Sequence, residues 1–182
     1  VNFPDYEGQT QFIHGEKGVH DMIQALQERF GKNLEGCVVC GQNAVFDYTI
    51  LSRRCGLNPP RIIDILGLAR HWHSRSNNDL AALCKRHKLT EKGDTKEFKG
   101  LTNRTRFMHA KGRGPKMPIQ RPKATDEQLT KLAEYGRNDV MREWELFTIL
   151  LPKLSNPATE LRLMQHTLDL YLKPTLAIDH EK

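Results

Sequence analysis

Long hydrophobic runs are missing from this sequence, and cysteine and aromatic residues are few. No apolar stretch approaches the roughly 20 residues that a helix needs to cross a bilayer, so we expect no membrane partner. Four cysteines (Cys37, Cys40, Cys55 and Cys84) are too few and too scattered for a disulfide scaffold. With 182 residues, 38% of them hydrophobic and 27% charged, the chain predicts one ordinary domain with its own core, located in the cytoplasm.

The cysteine pair Cys37-x-x-Cys40 has the spacing of half a zinc site or of a redox pair. No second Cys/His pair follows at a suitable spacing, and the two residues lie within an apolar, strand-like run. The pattern therefore favours two small buried side chains over a metal or redox site.

Acidic residues are absent from one long stretch, although the chain's net charge is only +6. Between residues 103 and 123 the charged residues are all basic: Arg104, Arg106, Lys111, Arg113, Lys116, Arg121 and Lys123. Such a stretch can follow a phosphate backbone, and it can equally be a solvated loop that is merely basic.

Hydrophobic periodicity predicts strands alternating with helices, which is typical of an α/β fold. The predicted strands lie near residues 10–14 and 34–40, and residues 61–70 are predicted to be a short strand that runs into a helix. Helices are predicted at 19–30, 48–54, 80–87, 125–151 and 158–172. Asp64 is expected to begin a further helix running to Arg70, and Asn78 or Asp79 to cap the helix at 80–87.

The helix at 125–151 has the clearest pattern, because Thr125 and Gln128 form a capping box at its start. Its predicted apolar stripe consists of Leu129, Leu132, Ala133, Val140, Trp144, Phe147 and Leu151. Tyr135 and Asp139 lie four apart on the flank of that stripe, where a side chain can reach a cleft at the edge of the core.

Two short motifs carry the candidate chemistry. Asn43-x-x-Phe46-Asp47 follows an apolar strand, and Tyr135-x-x-x-Asp139 lies on the long helix. Carboxylates from two distant segments, one with a phenol nearby, are the groups that a metal-dependent phosphodiesterase requires. The alternatives are that Asp47 only caps a helix, that Tyr135 is a half-buried aromatic residue, and that Asp139 is a surface acid.

These motifs resemble the second and third motifs of the DnaQ-like 3′–5′ exonucleases, in the variant that carries a tyrosine. Residues 89–94, 156–164 and 171–179 are similar to the proofreading domain of bacteriophage-type family A DNA polymerases. The resemblance implies a ribonuclease H-like α/β fold, with a mixed central sheet flanked by helices. It also implies an exonuclease domain at residues 1–154, and a helix with the start of a junction to a polymerase domain at 155–182.

The same resemblance implies roles for individual residues. Two Mg²⁺ or Mn²⁺ ions would be held by Asp47 and Asp139, and Tyr135 would orient the attacking water. Asn43 and Phe46 would support the terminal nucleotide of a single-stranded DNA 3′ end. Further strand contacts would come from the basic stretch, at Lys111, Arg113 and Lys116. A polymerase domain in the same parent chain is the expected partner, in the host cytoplasm if the protein is phage-encoded.

The sequence departs from the family pattern at the first motif, where relatives carry Asp-x-Glu on the first strand. The match ahead of the first predicted helix is Asp5-Tyr6-Glu7, which residues 8–17 separate from that helix. Two strands and their hairpin would need roughly 14 residues, and Pro4 disfavours a central strand. We therefore expect a domain that is N-terminally incomplete. Gln42 stands where many relatives have histidine, and we expect no catalytic cost from it.

The lack of a first motif leaves two other functions open. One is a catalytically silent nucleic-acid-binding domain of the same fold, and the other is a free-standing RNA exonuclease. The junction-like C-terminal segment disfavours the second.

Overall fold

The computed structural model describes residues 12–91 and 124–173. Two strands, β1 (Val39–Gly41) and β2 (Ile62–Asp64), lie among six α-helices. The helices are α1 (Glu16–Phe30), α2 (Ala44–Cys55), α3 (Ile65–Trp72), α4 (Leu80–Arg86), α5 (Asp126–Leu150) and α6 (Pro157–Leu172), with a 3₁₀ turn at Leu151–Lys153. None of the helices in these two ranges combines the length and apolar character needed to span a bilayer.

The two strands pair in parallel, with Val39 opposite Ile62 and Gly41 opposite Asp64. Helix α2 forms the crossover between them, as parallel pairing requires. On the far side of β2, α6 takes the place of a neighbouring strand. The side-chain oxygen of Gln165 accepts a hydrogen bond from the Ile62 amide at 2.7 Å, and the Met164 sulfur accepts one from the Asp64 amide at 3.2 Å. The α/β class is therefore confirmed, whereas a larger mixed sheet is not formed by the described residues.

The strand predicted at 34–40 is wrong for its first half. Leu34 adopts a left-handed backbone conformation (φ 60°), and the Gly36 amide donates to the Phe30 carbonyl at 2.7 Å. This tight turn closes back onto the end of α1 and buries Leu34 against Ile23 and Leu57. The apolar residues of this turn are spaced as they would be in a strand, so hydrophobic periodicity does not distinguish the two. Residues 12–14, the described part of the strand predicted near 10–14, are not in a strand either.

The main core lies where α3 and α4 pack against the C-terminal half of α5. Its fully buried side chains include Leu68, Leu83, Leu146 and Leu150. The predicted stripe on α5 is corrected here, because it omitted Leu146 and Leu150 and included Val140, which is 44% exposed. A helix of 25 residues is about 37 Å long, so the shorter α3 and α4 cover only part of it.

Two helical glycines provide a matched test of the packing between α3 and α6. A Cβ at Gly136 would meet no atom within 4 Å, whereas a Cβ at Gly67 would lie 3.0 Å from the Met164 methyl group. We expect Gly136→Ala to raise the free energy of unfolding by about 0.5–1 kcal/mol, since alanine loses less conformational entropy in a helix. Gly67→Ala should gain less or lose stability, because Met164 must move away from the Asp64 amide. Urea denaturation of both variants measures the difference, and equal gains would mean that Met164 does not restrain α3.

Candidate functional site

The first motif begins where β1 ends. Asn43 adopts a left-handed conformation (φ 58°, ψ 49°) and is the N-cap residue of α2. Asparagine tolerates this conformation better than most residues other than glycine. The helix begins at Ala44, four residues earlier than the predicted start at Tyr48, so Asp47 lies in the first turn of α2. The motif thus turns the chain directly from the strand into the helix.

Asp64 joins this turn to the neighbouring one. Its side chain is 7% exposed, and Oδ1 accepts hydrogen bonds from the Ala44 amide at 3.2 Å and the Leu66 amide at 3.1 Å. The predicted role of Asp64 as a helix N-terminal acid is therefore confirmed for α3. The same oxygen also fixes the start of α2, so a single carboxylate sets the geometry at the carboxyl ends of both strands.

Burial raises the pKa of Asp64 above its ordinary value of 3.8, although the backbone amides and the Arg70 charge lower it in part. A raised folded-state pKa adds stability below the unfolded value and removes it as pH rises through the folded value. We expect Asp64→Asn to keep the cap, since asparagine is a good N-cap residue. The stability of the wild-type protein relative to this variant should therefore fall as pH rises above about 3.8. Denaturant titrations at a series of pH values test this, and a difference that rises with pH would contradict it.

A polar cavity of about 830 Å³ opens at this edge of the sheet. Its lining combines amides, carboxylates and one arginine: Gln42, Asn43, Asn77, Asn78, Asp79, Asp139, Glu143 and Arg70. Asn43 from the first motif and Asp139 from the second are distant in sequence, and the fold brings both to this cavity. We refer to it below as the polar cavity.

Three other predicted site residues, Phe46, Asp47 and Tyr135, do not line the polar cavity. Asp47 is exposed on α2, and partial burial raises its pKa. Phe46 presents a ring that is 55% exposed. Tyr135 is half-buried one helical turn before Asp139. Lys111, Arg113 and Lys116 lie outside the described residues, as do Asp5 and Glu7.

Tyr48 connects the neighbourhoods of Asp47 and Glu143. Burial raises the pKa of its phenol first, and the charges of Cys40, Asp47 and Glu143 raise it further. Both carboxylates therefore act on the same hydroxyl group from different elements.

Sequence reasoning missed Glu143, Arg70 and the part played by Gln42. Glu143 follows Asp139 by four residues and so extends the same helical face, a signal that was present in the sequence. The Gln42 side-chain amide donates to the Asn78 carbonyl at 2.9 Å. Asn78, itself buried, donates from its side chain to the His73 carbonyl at 2.8 Å. Gln42 therefore holds the loop between α3 and α4 against the motif.

The cysteine pair is half-buried rather than fully buried, and both of its thiols are free. Burial raises the pKa of Cys40 to about 12, and the negative charges of Glu143 and Asp64 add to the effect. The thiolate is the form that binds zinc or attacks a disulfide. This environment disfavours that form, which agrees with a structural role for Cys40.

The donor atoms of the polar cavity suit a hard cation, since Asp139 and Glu143 supply carboxylate oxygens from adjacent turns of α5. Mg²⁺ commonly binds through one or two carboxylates, with water and substrate phosphate completing its shell. Within residues 12–91 and 124–173, no three His, Cys, Asp or Glu side chains are grouped closely enough to hold a metal ion.

Comparisons with protein-family models, with curated proteins and with solved structures find no match.

Proposed function

We propose that this chain is a metal-dependent 3′–5′ exonuclease domain that removes nucleotides from single-stranded DNA ends. The observation that carries the proposal is the meeting of Asn43 and Asp139 in one polar cavity at the carboxyl ends of parallel strands. Ligands of open α/β sheets commonly bind at that edge. Similarity to the proofreading domain of family A DNA polymerases extends the proposal to proofreading, with a polymerase domain in the same cytoplasmic parent chain.

A ribonuclease H-like sheet would need further strands beside the two that the described residues pair. Helix α6 covers the outer edge of β2 through Gln165 and Met164. The Val39 amide donates to the Arg61 carbonyl at 3.0 Å, so Val39 faces β2. In a parallel ladder the backbone groups of the next residue, Cys40, face the opposite edge. A further strand carrying the first motif would therefore add beside β1.

The residues of the site divide the chemical work. Asp139 would hold a divalent cation, with Glu143 as a further oxygen donor and Asp47 approaching from α2. When bound, such an ion lowers the pKa of its water and neutralises charge on the phosphate. The Tyr135 hydroxyl would orient the attacking water, because a phenol with a pKa near 10 is a poor base at neutral pH. Asn43 would hold the terminal sugar by hydrogen bonds, and the exposed Phe46 ring would pack on the base.

A direct assay mixes a single-stranded DNA labelled at its 5′ end with a molar excess of the chain, in the presence of Mg²⁺. The proposal predicts a ladder that shortens from the 3′ end by single nucleotides and is abolished by EDTA. An oligonucleotide blocked by a 3′ phosphorothioate linkage is the matched control. Cleavage in the middle of the strand would contradict an exonuclease, and faster shortening of RNA than of DNA would favour the RNA exonuclease.

The second candidate function is a catalytically silent nucleic-acid-binding domain. It is favoured by the finding that, in the described part, no three His, Cys, Asp or Glu side chains are grouped closely enough to hold a metal ion. It predicts binding of the same oligonucleotide with no ladder, both for this chain and for a parent that carries the first motif. A ladder from the parent alone would show that the exonuclease requires the missing strand.

A further inference from the structure

A second cavity, of about 590 Å³, adjoins the polar cavity between α3 and α6. Asn43 and Arg70 line both of them, so the two cavities adjoin at these residues. The far wall of the second cavity is more apolar and includes Leu163, Met164 and Tyr171 from α6. We call the two cavities together the groove.

Two exposed groups in the groove have the chemistry that single-stranded nucleic acid requires. Tyr171 is 59% exposed and presents an aromatic ring at the C-terminal end of α6. Arg70 is exposed at the junction of the two cavities. An aromatic face stacks on any base, and a guanidinium group pairs with phosphate through two parallel hydrogen bonds.

The carboxylates of the second cavity are partly engaged by other groups. Asp64 is buried and accepts hydrogen bonds from two backbone amides. Glu160 lies 3.6 Å from the imidazole of His71, which offsets its charge when that imidazole is protonated. Arg70 is therefore the cation at the point where a strand leaving the polar cavity would enter the second cavity.

We propose that the groove carries the nucleotides that precede the 3′-terminal one. The terminal nucleotide occupies the polar cavity, Arg70 contacts the phosphate at the junction, and Tyr171 stacks on a base farther along the strand. This assignment rests on the proposed exonuclease function. It also gives a role to the second, more apolar cavity that adjoins the polar cavity at Asn43.

The test compares the affinities of a dinucleotide and an octanucleotide, measured by fluorescence anisotropy with Ca²⁺ in place of Mg²⁺ to prevent cleavage. Tyr171→Ala should weaken octanucleotide binding roughly 5- to 100-fold, the usual effect of removing one stacking platform. Dinucleotide binding should not change, and Tyr171→Phe should bind as the wild type does. Arg70→Gln should weaken binding of both lengths and reduce the salt slope by about 0.7.

Arg162→Ala is the matched charge control, because Arg162 lies on α6 but lines a different cavity, beside Pro60. It should leave both affinities unchanged. Equal octanucleotide affinity for Tyr171→Ala and the wild type would overturn the groove assignment. The assignment would also be overturned if Arg162→Ala weakened octanucleotide binding as much as Arg70→Gln does.

The outcomes separate this inference from the proposed function. Length-dependent binding that requires Tyr171, with no hydrolysis in Mg²⁺ by this chain or by a parent that carries the first motif, would support the groove and contradict the exonuclease. Hydrolysis from the 3′ end, with affinities that do not depend on Tyr171 or Arg70, would support the exonuclease and overturn the groove.

Discussion

Asp139→Asn is expected to reduce exonuclease turnover at least about 100-fold in a parent chain that carries the first motif. Asparagine keeps the shape of the side chain but removes the negative charge that Asp139 contributes to the polar cavity. A metal ligand acts in the chemical step, so kcat should fall rather than KM rise. Any polymerase activity of the parent should not change, because a metal ligand acts only at its own site.

Asp126→Asn is the matched control, since Asp126 lies on the same helix but in its exposed first turn. It should retain exonuclease activity. Tyr135→Phe should have a milder effect than Asp139→Asn, because the metal ligands remain. Residual activity of Asp139→Asn above about 1% of wild type, in a protein shown to be folded, would count against Asp139 as a ligand.

The basic stretch at 103–123 should contribute affinity and not chemistry. We expect replacement of Lys111, Arg113 and Lys116 with alanine to weaken single-strand binding most at low salt. Removing one basic side chain from a phosphate reduces the slope of log K against log salt by about 0.7, so the triple replacement should reduce it by about 2. Turnover at saturating DNA should barely change. Binding titrations from low to high salt measure the slope directly.

A variant with an equal change in charge serves as the control for that experiment. Lys32, Arg53 and Arg54 are exposed at the ends of α1 and α2, and their replacement with alanine removes the same three charges. If the slope falls equally in both variants, the effect is one of net charge. Binding that the first variant leaves unchanged at every salt concentration would show that the stretch is only a loop.

Features decided by nearby residues could be predicted from the sequence. Four helices begin at a residue whose side chain accepts a hydrogen bond from a backbone amide, as the sequence positions indicated. These residues are Asp64, Asp79, Thr125 and Asn156. The helix ends at Gly31 and before Pro152 were also correct. These signals depend on hydrogen bonds within one turn, so the surrounding fold has little influence on them.

Features decided by packing could not be predicted in the same way. The turn at Leu34 shares its apolar pattern with a strand, and only its burial against Ile23 and Leu57 separates the two. The stripe on α5 depends on which half of the helix α3 and α4 cover. Arg70 enters the candidate site through the meeting of α3 and α5, and no spacing in the sequence indicates that meeting.

If the Asn43–Asp47 segment and the Tyr135–Asp139 segment form one metal site, as proposed, Mn²⁺ binding depends on carboxylates from both. Electron paramagnetic resonance measures free Mn²⁺ in the presence of the chain and a short single-stranded DNA, whether or not hydrolysis occurs. We expect Asp47→Asn and Asp139→Asn each to weaken Mn²⁺ binding at least about 10-fold. The double variant should lose less binding free energy than the sum of the two single losses, because groups that share a site are coupled. If Asp139→Asn leaves the Mn²⁺ affinity unchanged, the two segments do not form the proposed metal site.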